Sequence, residues 1–229
     1  MDRSFLQPGD ARALLIDLDG TLVDSAGDLA LAVDETMAAL GRQPHGLDPV
    51  RLWVGNGAAM LVKRALAGSM DPQEVDQVDA ALLDKAVGLF FAAYEKFCSQ
   101  KTVLYPGVLP ALEAWRAAGV KLACVTNKPE VFTERVLAAA GIRGFFDLVA
   151  AGDTLAVKKP DPAPLLYCME TMNTNLAQTW MIGDSRTDIK AARAAGIPVV
   201  CVSYGYNHGR DIRLENPDQV IDRFTDLLP

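Results

Sequence analysis

Short apolar runs recur along the chain, separated by longer amphipathic stretches. Residues 13–16, 120–125, 179–182 and 197–202 are apolar nearly throughout, the pattern of strands covered by helices on both faces. Residues 145–150 form a further run with fewer β-branched side chains. A helical pattern over 110–118 precedes the second of these runs and is stopped by Gly119. This alternation is βαβ punctuation, and it predicts a parallel sheet.

Residues 24 to about 100 follow another rule. Asp24 or Ser25 caps a helix that runs to Leu40 and stops at Gly41, Asp48-Pro49 opens a second helix, and Asp71-Pro72 opens a long third one through Phe97. No convincing strand interrupts them. The simplest account is an α/β core of residues 1–23 and 103–229 that receives a helical insertion, residues 24–102, after its first strand. Leu104-Tyr105-Pro106-Gly107 marks the return to the core. There are no internal repeats or low-complexity tracts.

Composition narrows the classes of function. Half of the 229 residues are apolar, enough for a sizeable core. The net charge is −7, and no Lys/Arg cluster or basic stripe stands out, which makes nucleic acid and anionic membrane poor partners. Cys98, Cys124, Cys168 and Cys201 stand far apart without a zinc spacing and read as buried reduced thiols. The first ten residues hold no apolar leader core, and no run approaches a membrane span. A cytoplasmic protein is the default expectation.

The chemistry concentrates at the ends of the strand-like runs. The first run ends in Asp17-Leu18-Asp19-Gly20, two carboxylates separated by one residue, where an open parallel sheet gathers its ligands. Two carboxylates so close repel unless a cation or a proton neutralises one of them. Hard oxygen donors without a nearby histidine favour Mg2+ over zinc. Thr126-Asn127-Lys128 follows the second run, Lys159-Pro160 sits in a loop before a helix, and Gly183 to Asp188 (GDSRTD) follows the third. Each strand end thus delivers a residue suited to a charged oxygen ligand.

DLDGTLVDS, VTNK, KKPDPAP and GDSRTDIKAARAAG stand in the order and at roughly the separations of the four motifs of the haloacid dehalogenase-like phosphohydrolases, which the chain resembles across its whole core. A nearer likeness, to the bacterial phosphoglycolate phosphatases, rests on the helix after the first motif, on RLWVGNGAAMLVKRAL, on YPGV and on SYGYNHG. The resemblance implies a Rossmann-like parallel-sheet core with the insertion serving as a cap domain. It also implies magnesium-dependent hydrolysis of a small phosphorylated metabolite through an aspartyl-phosphate, with 2-phosphoglycolate as the substrate. Asp17 would be the nucleophile and Asp19 the acid/base. Asp17, the Asp19 carbonyl and Asp184 would hold the metal, with Asp188 in support. Lys159, Thr126 and Asn127 would bind the phosphoryl group, while Gly55, Asn56 and Gly57 would form the loop that selects substrate. Lys63 and Arg64 are candidates for a substrate carboxylate.

Other readings stay open at this point. A dehalogenase has no use for an acid at Asp19, and a phosphonate hydrolase would lack that aspartate. A sugar phosphomutase keeps both aspartates. A phosphatase of another small metabolite, such as a sugar or amino-sugar phosphate, and a catalytically silent binding protein are the remaining rivals. His45 and His208, the only histidines, read as surface residues, which disfavours histidine-based phosphatase chemistry.

Overall fold

The computed structural model describes residues 11–228. Strand β1 (Ala13–Ile16) leads through a tight turn to the two-residue β2 (Val23–Asp24), and five helices follow: α1 (Ala26–Ala39), α2 (Leu47–Trp53), α3 (Ala58–Ala67), α4 (Pro72–Asp76) and α5 (Ala80–Phe97). The chain returns through β3 (Val103–Leu104). It then alternates: α6 (Val108–Ala117), β4 (Lys121–Val125), α7 (Glu130–Ala139), β5 (Leu148–Ala150), α8 (Ala163–Thr171), β6 (Thr179–Gly183), α9 (Arg186–Ala195), β7 (Val199–Val202) and β8 (Gln219–Ile221).

The core sheet has the order β5-β4-β1-β6-β7-β8, and every pairing in it is parallel. Side chains alternate across it with period 2. Leu14, Ile16, Leu122, Cys124, Trp180 and Ile182 face one buried cluster, which includes α6, α7 and the inserted helices. Ala13, Leu15, Ala123, Val125 and Met181 face the other, packed beneath α8 and α9. Coverage on both faces explains why these strands read as continuous apolar runs.

Strand β1 is central, and the chain leaves it toward β4 on one side and β6 on the other. Ile16 is in register with Cys124 and with Ile182, so the residues just beyond all three strands emerge side by side. That is the switch point where open α/β sheets bind ligands.

Strands β2 and β3 pair antiparallel and carry the chain into and out of the five helices. The buried carboxylate of Asp28 on α1 ties this junction. It accepts hydrogen bonds from the N–H groups of Ser99, Lys101 and Thr102 and from the Thr102 hydroxyl, at 2.5–3.1 Å. The end of α5 is thereby fastened to the start of α1, on which it packs.

Some boundaries differ from the sequence expectation. The long helix expected from Asp71 to Phe97 is two helices, because Asp79 takes the N–H of Leu82 and starts α5 afresh. Strands expected from 120 and 197 begin at Lys121 and Val199, and the run 145–150 is strand only over Leu148–Ala150. The short β2, β3 and β8 were not anticipated, since two or three residues carry no readable period. All four cysteines are buried and unpaired. Among the described residues, no helix is long and apolar enough to cross a membrane.

Candidate active site

The turn after β1 is built around glycine and one carbonyl. Gly20 has φ +89°, and the Leu18 oxygen accepts from the N–H groups of Thr21, Leu22 and Val23. A Cβ at Gly20 would collide with Asp184 Oδ2, and one at Gly205 would collide with the same side chain. Two backbone segments therefore approach Asp184 closely, and only the absence of a side chain at Gly20 and Gly205 lets them.

Asp17, Asp184 and Asp188 are buried with carboxylate oxygens all within 4.8 Å of one another. Lys159 enters this group from the loop before α8. Its ammonium donates to Asp17 Oδ1 at 2.8 Å, to the Val125 carbonyl at 2.6 Å and to Asp188 Oδ1 at 2.7 Å, which uses all three of its N–H bonds. Asp188 Oδ2 meanwhile accepts from the N–H and hydroxyl of Ser185 at the start of α9. Asp184 accepts from the Thr21 hydroxyl at 3.1 Å and from the Tyr206 N–H at 2.5 Å.

Three buried carboxylates thus crowd together, and the one ammonium among them bonds only Asp17 and Asp188. Burial pushes the Asp17 carboxyl up, to about 7, against the opposing pull of Lys159. Burial, reinforced by Asp17 and Asp188, drives Asp184 well above the usual carboxylate range. For Lys159 burial works downward, but Asp17 and Asp188 outweigh it and hold the ammonium charged. The site has a deficit of positive charge. An all-oxygen, buried donor set with that deficit fits a hard divalent cation.

Asp19 faces elsewhere. Its carboxylate accepts from the Ser25 hydroxyl at 2.5 Å and from the Lys128 ammonium, 3.1 Å from each oxygen. The same ammonium lies 4.7 Å from the centroid of the Tyr94 ring on α5. Ser25 stands at the N-terminus of α1 without capping it through its side chain. The N–H groups of Ser25 and Ala26 are taken instead by the Tyr206 hydroxyl, which donates to Asp24.

The inserted helices close over these groups. Gly55, Asn56 and Gly57 all have positive φ, so the loop between α2 and α3 bends sharply toward the sheet. Asn56 Nδ2 reaches Thr187 Oγ1 on α9 at 3.1 Å. Arg64 braces the loop from behind through the carbonyls of Trp53 and Gly55 and through Asn56 Oδ1. A cavity of about 90 Å³ remains between the loop, α5 and the strand ends.

Residues 11–196 match the family model of the haloacid dehalogenase-like hydrolases. The chain belongs to that family. This haloacid dehalogenase-like hydrolase is 50% identical to the phosphoglycolate phosphatase of Pseudomonas putida, over 95% of this chain and 79% of that one. It is 47% identical to the phosphoglycolate phosphatase of Psychrobacter arcticus, over 96% and 95% of the two chains. The crystal structure of a predicted phosphoglycolate phosphatase from Haemophilus somnus superimposes with a TM-score of 0.87 at 35% identity, covering 96% of this chain and 97% of that one.

The hydrolase brings Asp17, Asp19, Thr126, Asn127, Lys159, Asp184 and Asp188 to one cavity, along with Gly55, Asn56 and Gly57. Asn127 lines it while its Nδ2 donates to the Lys159 carbonyl at 2.8 Å, so its side chain also braces the lysine loop. Lys63 and Arg64 do not line it. Lys63 pairs with Asp76, and Arg64 is spent on the loop it braces. His45 and His208 lie outside the cavity, half-buried, each bonded to a backbone carbonyl. Sequence reasoning assigned no role to Lys128, Tyr94, Thr187 or Tyr206. Lys128 stood inside the quoted VTNK and Tyr206 inside SYGYNHG, but nothing in either stretch tells which partner the side chain meets.

Proposed function

We propose that this hydrolase is a magnesium-dependent phosphomonoesterase that converts 2-phosphoglycolate to glycolate and phosphate through an aspartyl-phosphate. The observation that carries the reading is the pairing of the buried Asp17 with a fully engaged Lys159 in the wall of a small cavity. The names of the relatives from Pseudomonas putida and Psychrobacter arcticus supply the substrate.

In this reading residues 24–102 act as a cap domain over a core of residues 1–23 and 103–229. Asp17 attacks phosphorus with the oxygen that Lys159 leaves free, while Lys159 holds the other and offsets charge on the transferring group. Asp19 protonates the departing alkoxide and later takes a proton from the water that cleaves the acyl phosphate. The Thr126 hydroxyl and the Asn127 amide orient the phosphoryl oxygens, and Gly55-Asn56-Gly57 closes the site against bulk water. Asp17, Asp184 and the Asp19 carbonyl would hold Mg2+, with Asp188 in support by fixing Lys159. When bound, the ion would neutralise the carboxylates and the incoming phosphate.

The cavity favours a short substrate. Its walls include Leu29, Val54, Leu61, Phe90, Phe91 and Phe132, which offer no hydrogen bonds to sugar hydroxyls, and its volume lies far below the roughly 300–1,000 Å³ of sites for drug-sized ligands. A cytoplasmic location fits a small phosphorylated metabolite as the substrate. The test is phosphate release from a panel of small phosphomonoesters with Mg2+ and then with a chelator. The expected result is a kcat/KM for 2-phosphoglycolate well above that for sugar and amino-sugar phosphates, lost on chelation. Preference for a sugar phosphate would overturn the substrate, and activity that survives chelation would overturn the metal.

A further inference from the structure

We propose that Lys128 selects the substrate by binding its carboxylate, an inference that rests on the reading of the substrate as a carboxylate-bearing phosphomonoester. Among the described residues that line the cavity, Lys128 and Lys159 are the only cations. They are not equivalent. All three N–H bonds of Lys159 end on Asp17, Val125 and Asp188, which commits it to the phosphoryl end of the site.

Lys128 has one carboxylate partner, Asp19, at 3.1 Å to both oxygens, longer than the 2.8 and 2.7 Å contacts of Lys159. Its other neighbour is the Tyr94 ring, a face that attracts the ammonium without consuming its hydrogen-bonding capacity. The side chain is only 5% exposed, so a ligand would meet this charge in a space that water screens little.

The remaining walls make the assignment sharper. Away from Lys128 a second negative charge on the substrate would meet either the apolar Leu29, Leu61, Phe90 and Phe91, where an unpaired carboxylate is strongly disfavoured, or neutral polar groups such as Asn56 and Thr187, none of which supplies a counter-charge. Lys159 serves Asp17 and Lys128 serves Asp19, two residues further on, so both ammonium groups stand at the end of the same strand. In the proposed pose a two-carbon acid phosphate, with its phosphoryl at Asp17, turns its carboxylate toward Lys128. A neutral hydroxymethyl group in that position would leave Lys128 on Asp19 and gain no charge pair.

The experiment compares two substrates on the full chain with Mg2+: 2-phosphoglycolate and 2-hydroxyethyl phosphate, in which a hydroxymethyl group replaces the carboxylate. The wild-type ratio of kcat/KM is expected to favour 2-phosphoglycolate by about 10- to 100-fold, the scale of one charge-assisted contact. Lys128→Met and the milder Lys128→Gln should bring that ratio to within about threefold of unity, mainly by raising KM for 2-phosphoglycolate, while Lys128→Arg should keep most of the preference. The ratio is taken on one preparation, so any loss of folded fraction cancels. A ratio that survives in both neutral variants overturns the role of Lys128, as does an equal loss on both substrates. A wild-type enzyme without the preference overturns the carboxylate-bearing substrate itself, which is a separate result.

Discussion

Lys159 Nζ lies 2.8 Å from Asp17 Oδ1 and 2.7 Å from Asp188 Oδ1, one ammonium wedged between two buried carboxylates. Removing it leaves those carboxylates facing each other without a donor between them. Lys159→Met should lower kcat/KM by about 100- to 1,000-fold, the scale of losing one preorganised charge-stabilising donor. Breaking a buried pair in this way also costs stability, about 3–5 kcal/mol. Differential scanning calorimetry alongside phosphate release checks both effects.

Asp17→Asn should abolish turnover yet leave the protein folded. Without metal its unfolding midpoint should match or exceed that of the wild type, because one of three crowded carboxylates is gone. Asp19→Asn should instead slow the reaction and let a phosphorylated protein accumulate, visible by intact-protein mass spectrometry. Full turnover in the first variant would remove Asp17 as the nucleophile. Full turnover in the second would remove Asp19 from proton transfer.

Mg2+ should raise the thermal midpoint of the wild type, since an ion that binds only the folded state stabilises it. Gly20→Ala should lose that response. A methyl group there would strike Asp184 Oδ2, and φ of +89° is strained for any residue with a Cβ. The readout is a thermal-shift titration, independent of activity. A response retained in Gly20→Ala would place the ion elsewhere.

Tyr206→Phe removes the hydroxyl that serves Ser25, Ala26 and Asp24 but keeps the N–H that serves Asp184. The expected loss is about 1–3 kcal/mol, from backbone donors left unpaired at the start of α1. For a chain of this size that corresponds to roughly 2–4 °C in Tm for each kcal/mol. KM should rise more than kcat falls, because this hydroxyl holds the entry to the cap and does not face the reacting atoms.

His208 sets an acid limit on stability. Burial lowers its pKa; the Leu52 carbonyl opposes that and Arg64 adds to it. With a folded value below the unfolded one, the contribution is fully present above about pH 6.5 and is lost as pH falls from there through the folded value. His208→Asn, which tolerates the φ of +54°, should flatten the fall in Tm between about pH 7 and 5. An unchanged pH profile would assign the fall to other groups.

Much of this was legible in the chain. Strands covered on both faces are apolar at nearly every position, so β1, β4, β6 and β7 announce themselves as runs, and chemistry in an open sheet gathers beyond their ends. That is how Asp17, Thr126, Lys159 and Asp184 could be singled out while more than 160 residues separate the first from the last. Gly55 and Gly57 were readable as a break in a helical pattern, and the positive φ at residues 55–57 is why glycine stands there, while the loop's role over the site came only from the family resemblance.

Pairing was not legible. Asp28 looks like an ordinary acidic residue in the first turn of a helix, yet it gathers three N–H groups and a hydroxyl from the far end of the insertion. Ser25 looks like a helix cap and instead donates to Asp19. Arg64, a plausible anion ligand by type, is consumed by the loop it supports, and Lys128, passed over, joins Lys159 in lining the cavity. Local sequence determines which backbone shapes are affordable and which side chains are available at each strand end. Which of those side chains meet depends on how the inserted helices pack back across the sheet, and contacts such as Asp28 with Ser99 or Lys128 with Asp19 join residues too far apart in sequence for any local pattern to show.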